Sequence, residues 1–173
     1  MKKVSILFSI MLPMSMTAHA KVLHVSKFGF IVENQISTDK TPTKVWLALT
    51  RNVDSWWPKD HTWWEGVLSI EAKAGGCFCE VSETKSAEHM RISFVEPNKL
   101  LRMSGGLGPL QGMGMFGALD WQIRAVDGGS EVTLSYKVSG VNPDGYAQLA
   151  PIVAQVQGIQ LNGLKSFLEK NQN

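Results

Sequence analysis

The pattern of hydrophobic and polar positions predicts a chain built mainly of antiparallel strands and ending in a long helix. From Leu23 to Ile36, β-branched and aromatic residues alternate loosely with polar ones, which predicts a first strand. Thr41 and Pro42 then supply an N-cap and a first helical position for a short helix. A second short helix is predicted within Arg51–Trp57, because the residue before Pro58 is driven out of the helical region.

Six further strands are predicted from short alternating runs that are separated by turn residues. The Asp127-Gly128-Gly129 turn before the last run is typical of a β-hairpin, and Glu96-Pro97-Asn98-Lys99 is a turn of the same kind. The series therefore predicts an antiparallel meander. Its runs are Leu68–Ala72, Cys77–Thr84, His89–Val95, Leu100–Ser104, Ala118–Val126 and Glu131–Val138.

The C-terminal segment Tyr146–Glu169 predicts one long amphipathic helix, because its apolar residues recur at helical spacing. Gly158 and Gly163 within it indicate that another element packs closely against the helix. The predicted fold class is α+β, with a curved seven-stranded antiparallel sheet around this helix. One helix cannot cover the whole concave face of such a sheet, so we expect a cavity between them, and any ligand to bind there.

The amino terminus has the composition of a secretory signal peptide. Lys2 and Lys3 precede an apolar run, Val4–Met16, and Ala18-His19-Ala20 supplies small residues at the two positions that signal peptidase reads. The run is shorter than the roughly 20 residues that a bilayer span needs. The sequence therefore predicts a signal peptide over residues 1–20, a single mature domain over residues 21–173, and a periplasmic or secreted location.

The charge balance excludes two classes of partner. The chain has 17 Lys plus Arg and 15 Asp plus Glu; loss of Lys2 and Lys3 would leave 15 of each, a net charge of zero. A neutral chain gives no electrostatic basis for binding nucleic acid or an acidic membrane surface. No nucleotide is expected either: Gly112–Gly117 matches the pattern GxGxxG, but a strand and not a helix is predicted after it.

The glycine-rich segment Gly105–Gly117 carries apolar side chains without a regular face. Two interpretations stand equally: a mobile apolar loop at a pocket mouth, and an ordinary long hairpin connection.

The two cysteines, Cys77 and Cys79, stand one residue apart in a predicted strand. Residues so placed lie about 6.6 Å apart, whereas a disulfide holds its Cβ atoms about 3.8 Å apart. A bridge would need a bulge near Gly75-Gly76, so strand geometry favours free thiols, while an exported protein favours a bridge. Zinc is disfavoured because the remaining histidines give no recognised ligand spacing. We expect neither a metal nor a cofactor.

Several motifs together resemble the polyketide cyclase or activator of Hsp90 ATPase homologue-like branch of the SRPBCC, or START-like, superfamily. The resemblance covers about residues 28–170. It implies the helix-grip (START/Bet v 1-like) fold, with two short helices after the first strand. It implies activity only broadly, since members range from lipid carriers to cyclases and co-chaperones. The matching segments are Trp56-Trp57-Pro58 with His61-Thr62, Gly75–Glu80, Glu88–Ile92, Glu96–Arg102, Gly106–Leu110 and Gly117–Leu119.

The orientation of strand Cys77–Thr84 decides whether Glu80 is a site residue. Polarity alone would turn the cysteines inward, whereas the family resemblance implies that Phe78 and Glu80 face the cavity. A glutamate in an apolar cavity has a raised pKa unless it is paired, which marks Glu80 as a candidate site residue. Arg91 and Arg102 on neighbouring strands are candidate partners, and the alternative is a buried ion pair that takes no part in any chemistry.

The segment between Trp56 and Trp64 contains four tryptophans around His61. It is interpreted either as a pocket wall or as a structural plug, with His61 hydrogen-bonded to a neighbour such as Asp60.

The leading functional hypothesis is an exported protein that binds a small, largely apolar molecule. The alternatives are a cyclase- or isomerase-type enzyme using Glu80 and His61 as acid and base, and an envelope interaction protein whose cavity is filled by tryptophans. No hydrolase motif with a standard nucleophile occurs. The predicted ligand-binding residues are Trp56, Trp57, His61, Trp63, Phe78, Glu80, Leu107, Met113, Met115, Phe116, Trp121 and Val153.

Overall fold

The computed structural model of the chain describes residues 20–170, so the predicted signal peptide, apart from Ala20, lies outside the described residues. The strands are β1 (Lys21–Ser26), β2 (Gly29–Thr38), β3 (Val67–Ile70), β4 (Cys77–Ser82), β5 (Lys85–Glu96), β6 (Leu100–Gly105), β7 (Phe116–Val126) and β8 (Gly129–Ser139). These eight antiparallel strands form one sheet in the order β1-β2-β8-β7-β6-β5-β4-β3, and the long C-terminal helix packs against it. Within residues 20–170, no helix is long and apolar enough to cross a bilayer.

In the described part of the chain, four helices connect or close the sheet. α1 (Pro42–Arg51) and α2 (Val53–Trp56) follow β2, as predicted, and a single 3-10 turn spans Lys59–His61. The side chain of Thr41 caps α1 by accepting a hydrogen bond from the amide of Lys44. A four-residue helix, α3 (Pro109–Gly112), interrupts the glycine-rich connection between β6 and β7, and α4 (Leu149–Lys170) ends the described chain.

The predicted first strand is in fact a hairpin, which makes the sheet eight-stranded and not seven-stranded. β1 and β2 pair antiparallel and turn at Lys27-Phe28. These two residues carry no typical turn signature, and Phe28 matched the apolar alternation. In the structure its side chain is 72% exposed, because it stands at the tip of the turn.

The glycines of α4 allow close packing, as predicted. A Cβ at Gly163 would lie 2.4 Å from the carbonyl oxygen of Trp56, and one at Gly158 would lie 3.0 Å from Oδ1 of Asn34. Nδ2 of Asn34 also donates to the carbonyl of Ala154 at 3.1 Å. Small residues on this side of α4 therefore bring the helix against both α2 and β2.

Strand β4 places Phe78 and Glu80 on the concave side, which confirms the orientation that the family resemblance implied. Both side chains are buried, while Cys77 and Cys79 are half-buried on the opposite side. The two cysteines form a disulfide, so the expectation of free thiols is wrong. Their Cα atoms lie 5.5 Å apart, closer than in a flat strand, and the pairing of β4 with β5 is irregular between Phe78 and Cys79.

That irregularity is a β-bulge with a direct consequence for the concave side. Phe78 pairs with Met90 and Cys79 pairs with Glu88, so His89 is the extra residue on β5. Side chains normally alternate between the two faces of a strand. The bulge instead turns the consecutive residues His89 and Met90 inward, and both are buried.

Candidate ligand-binding cavity

A cavity of ≈ 380 Å³ lies between α4, the segment after α2, and the connection that contains α3. Trp57 and Trp63 form one wall of the cavity, and Tyr136 from β8 also lines it. The volume falls within the roughly 300–1,000 Å³ that is usual for small-molecule sites. The aliphatic and sulfur-containing side chains of the lining are Leu107, Leu110, Met113, Leu149, Ile152, Val153 and Val156.

The cavity opens to solvent between three segments. Trp63, Met113 and Ile152, one from each wall, are all exposed. Exposed apolar residues around a concave apolar space are typical of a binding site. We call this ring of three residues the mouth.

Tyr136 anchors the wall that contains α3. Its hydroxyl donates to the carbonyl of Gly105 at 2.7 Å and accepts from the amide of Leu107 at 3.0 Å. Burial raises the pKa of Tyr136 to about 12, although the bond from Leu107 opposes that shift, so the phenol stays protonated. Nε2 of Gln111 adds a bond to the carbonyl of Glu88 at 2.9 Å. Mobility of the Gly105–Gly117 segment stays a prediction.

Glu80 lies at the centre of a hydrogen-bond network behind the opposite wall. Its side chain is 0% exposed. The amides of Trp64 and Gly66 donate to Oε1, each at 2.9 Å, and the amide of Trp63 donates to Oε2 at 2.9 Å. Nε2 of His89 lies 3.1 Å from Oε2. One carboxylate on β4 thus fixes the backbone of the tryptophan segment.

The pKa of Glu80 is lowered, because the carboxylate is paired. Burial alone would raise it, but the three amides and His89 stabilise the carboxylate and outweigh that effect. The two arginines considered as partners are not the residues that pair with it. Arg91 pairs with Glu88 at 2.7 Å and Arg102 pairs with Asp120 at 2.6 Å, so neither contacts Glu80.

The ionised carboxylate determines the protonation of His89. A carboxylate only accepts hydrogen bonds, so Nε2 of His89 carries the proton that lies between the two groups. Burial lowers the pKa of His89, against the raising influence of Glu80, and the ring is therefore neutral at pH 7. His89 lines the cavity, and no described residue bonds to its Nδ1. Glu80 itself is not part of the lining.

Three polar side chains of the lining have buried atoms without a partner. In the described part of the chain, Nδ1 of His61, both amide atoms of Gln157 and Oε1 of Gln160 make no hydrogen bond. The predicted bond between the His61 ring and Asp60 is therefore not made through Nδ1. Gln157 is 1% exposed and Gln160 is 3% exposed. Buried amides are normally satisfied, so these groups mark the cavity as more than apolar packing space.

The predicted site residues divide into two groups. Trp57, His61, Trp63, Leu107, Met113 and Val153 line the cavity. The others do not: Trp56, Phe78 and Trp121 form a buried aromatic cluster with Trp57, Met115 is buried, Phe116 is exposed outside the cavity, and Glu80 lies behind the wall. Ligand contact by the six lining residues stays a prediction.

Sequence reasoning missed six polar residues of the lining: Asp60, Thr62, His89, Tyr136, Gln157 and Gln160. Gln157 and Gln160 are polar, so the apolar pattern that predicts the helix does not include them. They nevertheless continue the helical stripe from Val153 to Leu164 at spacings of four, three and four residues, and that spacing was the available signal. His89 depended on the bulge, which breaks the alternation used to assign strand faces.

Comparison with known proteins supports the fold. Neither a protein-family model nor a curated protein matches the sequence. Among solved structures, CalU16 from Micromonospora echinospora aligns with a TM-score of 0.61 at 14% identity, over 88% of this chain and 87% of that chain. The Aha1 dimer from Colwellia psychrerythraea gives 0.57 at 17% identity, over 83% and 98%. Ara h 8.0201 gives 0.57 at 16% identity, over 82% and 98%.

These neighbours have the helix-grip fold, and the chain shares it, as the resemblance implied. Identities this low establish the architecture alone. Function has to be argued from the cavity.

Proposed function

We propose that this chain is an exported binding protein that holds a small, largely apolar molecule in the cavity between the sheet and α4. One observation carries the proposal: a space of ≈ 380 Å³, lined mainly by apolar side chains, is open at the mouth. Trp57 and Trp63 form part of its wall and leave the space open. This arrangement argues against the alternative of an interaction protein with a filled cavity.

Two independent features support export, one of the sequence and one of the structure. The amino-terminal sequence has the organisation of a signal peptide. The Cys77–Cys79 disulfide belongs to the class of bond that persists in oxidising compartments such as the periplasm. N-terminal sequencing of the protein from the envelope fraction should begin at Lys21, and an intact Met1 would contradict export.

The arrangement of Glu80 does not favour the enzyme alternative in its predicted form. Both of its oxygens are occupied by the amides of Trp63, Trp64 and Gly66, and it does not line the cavity that His61 lines. A general base must reach the proton that it removes, directly or through one water. The pair of Glu80 and His61 therefore has no common space in which to act as acid and base on a bound molecule.

Binding is tested with the uncharged fluorophore 1-aminoanthracene, whose emission rises in apolar surroundings. We expect saturable binding to the wild-type protein. Val153→Trp places a large ring in the cavity and should weaken binding at least about tenfold, equivalent to about 1.4 kcal/mol.

Ile159→Trp is the matched control. It adds the same ring to the same helix at an exposed residue outside the cavity lining, and binding should be unchanged. Equal affinity of the Val153→Trp and wild-type proteins would place the fluorophore elsewhere and contradict the proposal. If binding behaves as expected, native mass spectrometry of protein isolated from its own compartment would identify the natural ligand.

A further inference from the structure

The polar groups of the cavity restrict the chemistry of a ligand more narrowly than its apolar walls do. Gln157 and Gln160 lie one helical turn apart on α4, and both line the cavity. Gln157 has neither a donor for its carbonyl nor an acceptor for its amide group, and Oε1 of Gln160 has no donor, within the described residues. A ligand that satisfies these atoms must both donate and accept hydrogen bonds.

The charges around the cavity argue against an anionic ligand. No lysine or arginine belongs to its lining in the described chain, and Asp60 is an acidic member of it. The nearby Lys59 is already bonded to Oδ1 of Asp54 at 2.5 Å and to the carbonyl of Gly66 at 2.7 Å. A buried anion without a cation is strongly disfavoured. A carboxylate also has no donor for Oε1 of Gln160.

Resting on the proposed function, we infer that the ligand is an uncharged molecule with an apolar body and one group that both donates and accepts hydrogen bonds, such as a hydroxyl or a primary amide, bound by Gln157 and Gln160. The apolar body lies against Val153, Val156 and the α3 wall. A hydroxyl donates one hydrogen bond and accepts up to two, so it satisfies the amide group of Gln157 and the oxygen of one of the two glutamines. A primary amide has two N–H donors and a carbonyl, so it has a partner for all three atoms. An ether or ketone of the same length leaves at least one acceptor of the protein unsatisfied.

The test compares ligands that differ only in the end group. Decan-1-ol, 1-methoxydecane and decanoate compete with 1-aminoanthracene at pH 7.5. We expect decan-1-ol to bind at least about tenfold more tightly than 1-methoxydecane, because only the alcohol donates, and decanoate to bind weakest of the three. Equal competition by the alcohol and the ether, or tightest binding by decanoate, would overturn the inference.

Variants of the two glutamines test whether these residues produce the preference for the alcohol over the ether. Gln157→Leu keeps the size of the side chain and should reduce the preference for the alcohol to about twofold or less, with each competition corrected for the affinity of that variant for 1-aminoanthracene. Gln155→Leu is the matched control, since Gln155 is exposed on the same helix and does not line the cavity; it should keep the full preference. An unaltered preference in Gln157→Leu would contradict the assignment.

Folding provides a second readout. Removing a buried amide that lacks partners should not lower the melting temperature, so Gln157→Leu should be at least as stable as wild type. Gln160→Leu tests the same assignment if Gln157→Leu does not fold, again by loss of the preference for the alcohol. Absence of 1-aminoanthracene binding to wild type would defeat the proposed function itself, whereas binding without discrimination between decan-1-ol and 1-methoxydecane would defeat only the inference.

Discussion

Replacing Glu80 by glutamine tests whether one carboxylate holds the tryptophan segment against the sheet. Glu80→Gln preserves the shape of the side chain but changes one oxygen into an amino group. Oε2 accepts from Trp63 and contacts His89, and Oε1 accepts from Trp64 and Gly66. In place of Oε1, the amino group loses the hydrogen bonds from Trp64 and Gly66; in place of Oε2, it loses the bond from Trp63 and keeps His89 only if the ring changes its tautomer. In both positions at least one amide is left facing a donor, and the remaining bonds no longer go to a charged group.

The expected loss of stability is large for a single isosteric change. A hydrogen bond to a charged group contributes about 1.5–3 kcal/mol, and the remaining carbonyl keeps part of the network. We therefore expect the free energy of unfolding to fall by about 3 kcal/mol. In a domain of this size, that corresponds to a decrease of about 6–12 °C in melting temperature.

Glu88→Gln is the matched control, because it makes the same change on the neighbouring strand. Glu88 pairs with Arg91 at the surface, where both side chains are exposed, and exposed pairs contribute about 0–1 kcal/mol. Thermal unfolding followed by circular dichroism measures both variants. A melting temperature for Glu80→Gln within about 2 °C of Glu88→Gln would refute a structural role for the buried carboxylate.

The pH dependence of stability gives the same test without a mutation. The pKa of Glu80 is lowered from 4.5 in the folded protein, so its contribution is complete above pH 4.5 and is lost as the pH falls through the lower folded value. The pKa of His89 is lowered from 6.5, so the unfolded chain also takes up that proton first, and stability starts to fall below pH 6.5. Protonation of both groups therefore favours unfolding in acid. In Glu80→Gln, the free energy of unfolding should fall less below pH 4.5 than in the wild type, because residue 80 no longer takes up a proton.

Three further predictions concern other parts of the fold. Unfolded, unreduced protein should take up no thiol reagent and reduced protein two equivalents, both on the Cys77–Cys79 peptide; two equivalents before reduction would contradict the bridge. Gly163→Ala should lower stability by about 1–3 kcal/mol, because its Cβ would meet the Trp56 carbonyl, whereas Gly112→Ala, which has open space, should not; equal melting temperatures would contradict this packing. Amide hydrogen exchange without ligand should be fastest, among internal segments, across Gly105–Gly117; slow exchange there would contradict a mobile wall.

The sequence predicted the sheet well where local alternation and turn chemistry agree. The hairpin of β7 and β8 is an example: apolar alternation ran on either side of Asp127-Gly128-Gly129, and the structure pairs Val126 with Gly129 across that turn. The β1–β2 turn failed because Lys27-Phe28 carries no such chemistry. There the position of the turn follows from the pairing of β1 with β2, from Ser26 opposite Gly29 to Lys21 opposite Glu33, and the turn residues themselves give no signal of it.

The site was harder to predict because its main interactions involve the backbone. Glu80 was assigned to the concave side, yet its partners are the amides of Trp63, Trp64 and Gly66, which have the same chemistry at every residue. An arginine partner was therefore the natural expectation from side chains alone. Strand register decided otherwise, because Arg102 stands directly opposite Asp120 in the β6–β7 pair.

The bulge in β5 links these observations to the cavity. It turns His89 inward beside Glu80, and Glu80 in turn holds the segment that carries Trp63 to the mouth. Residues on two other segments of the chain, the tryptophan segment and β5, are thus fixed by one carboxylate that does not line the cavity. The buried carboxylate of Glu80 lies behind the wall, where three backbone amides stabilise it, and the uncharged amide groups of Gln157 and Gln160 on α4 line the cavity. This separation keeps the interior free of an unpaired charge while retaining polar groups that can select among apolar molecules.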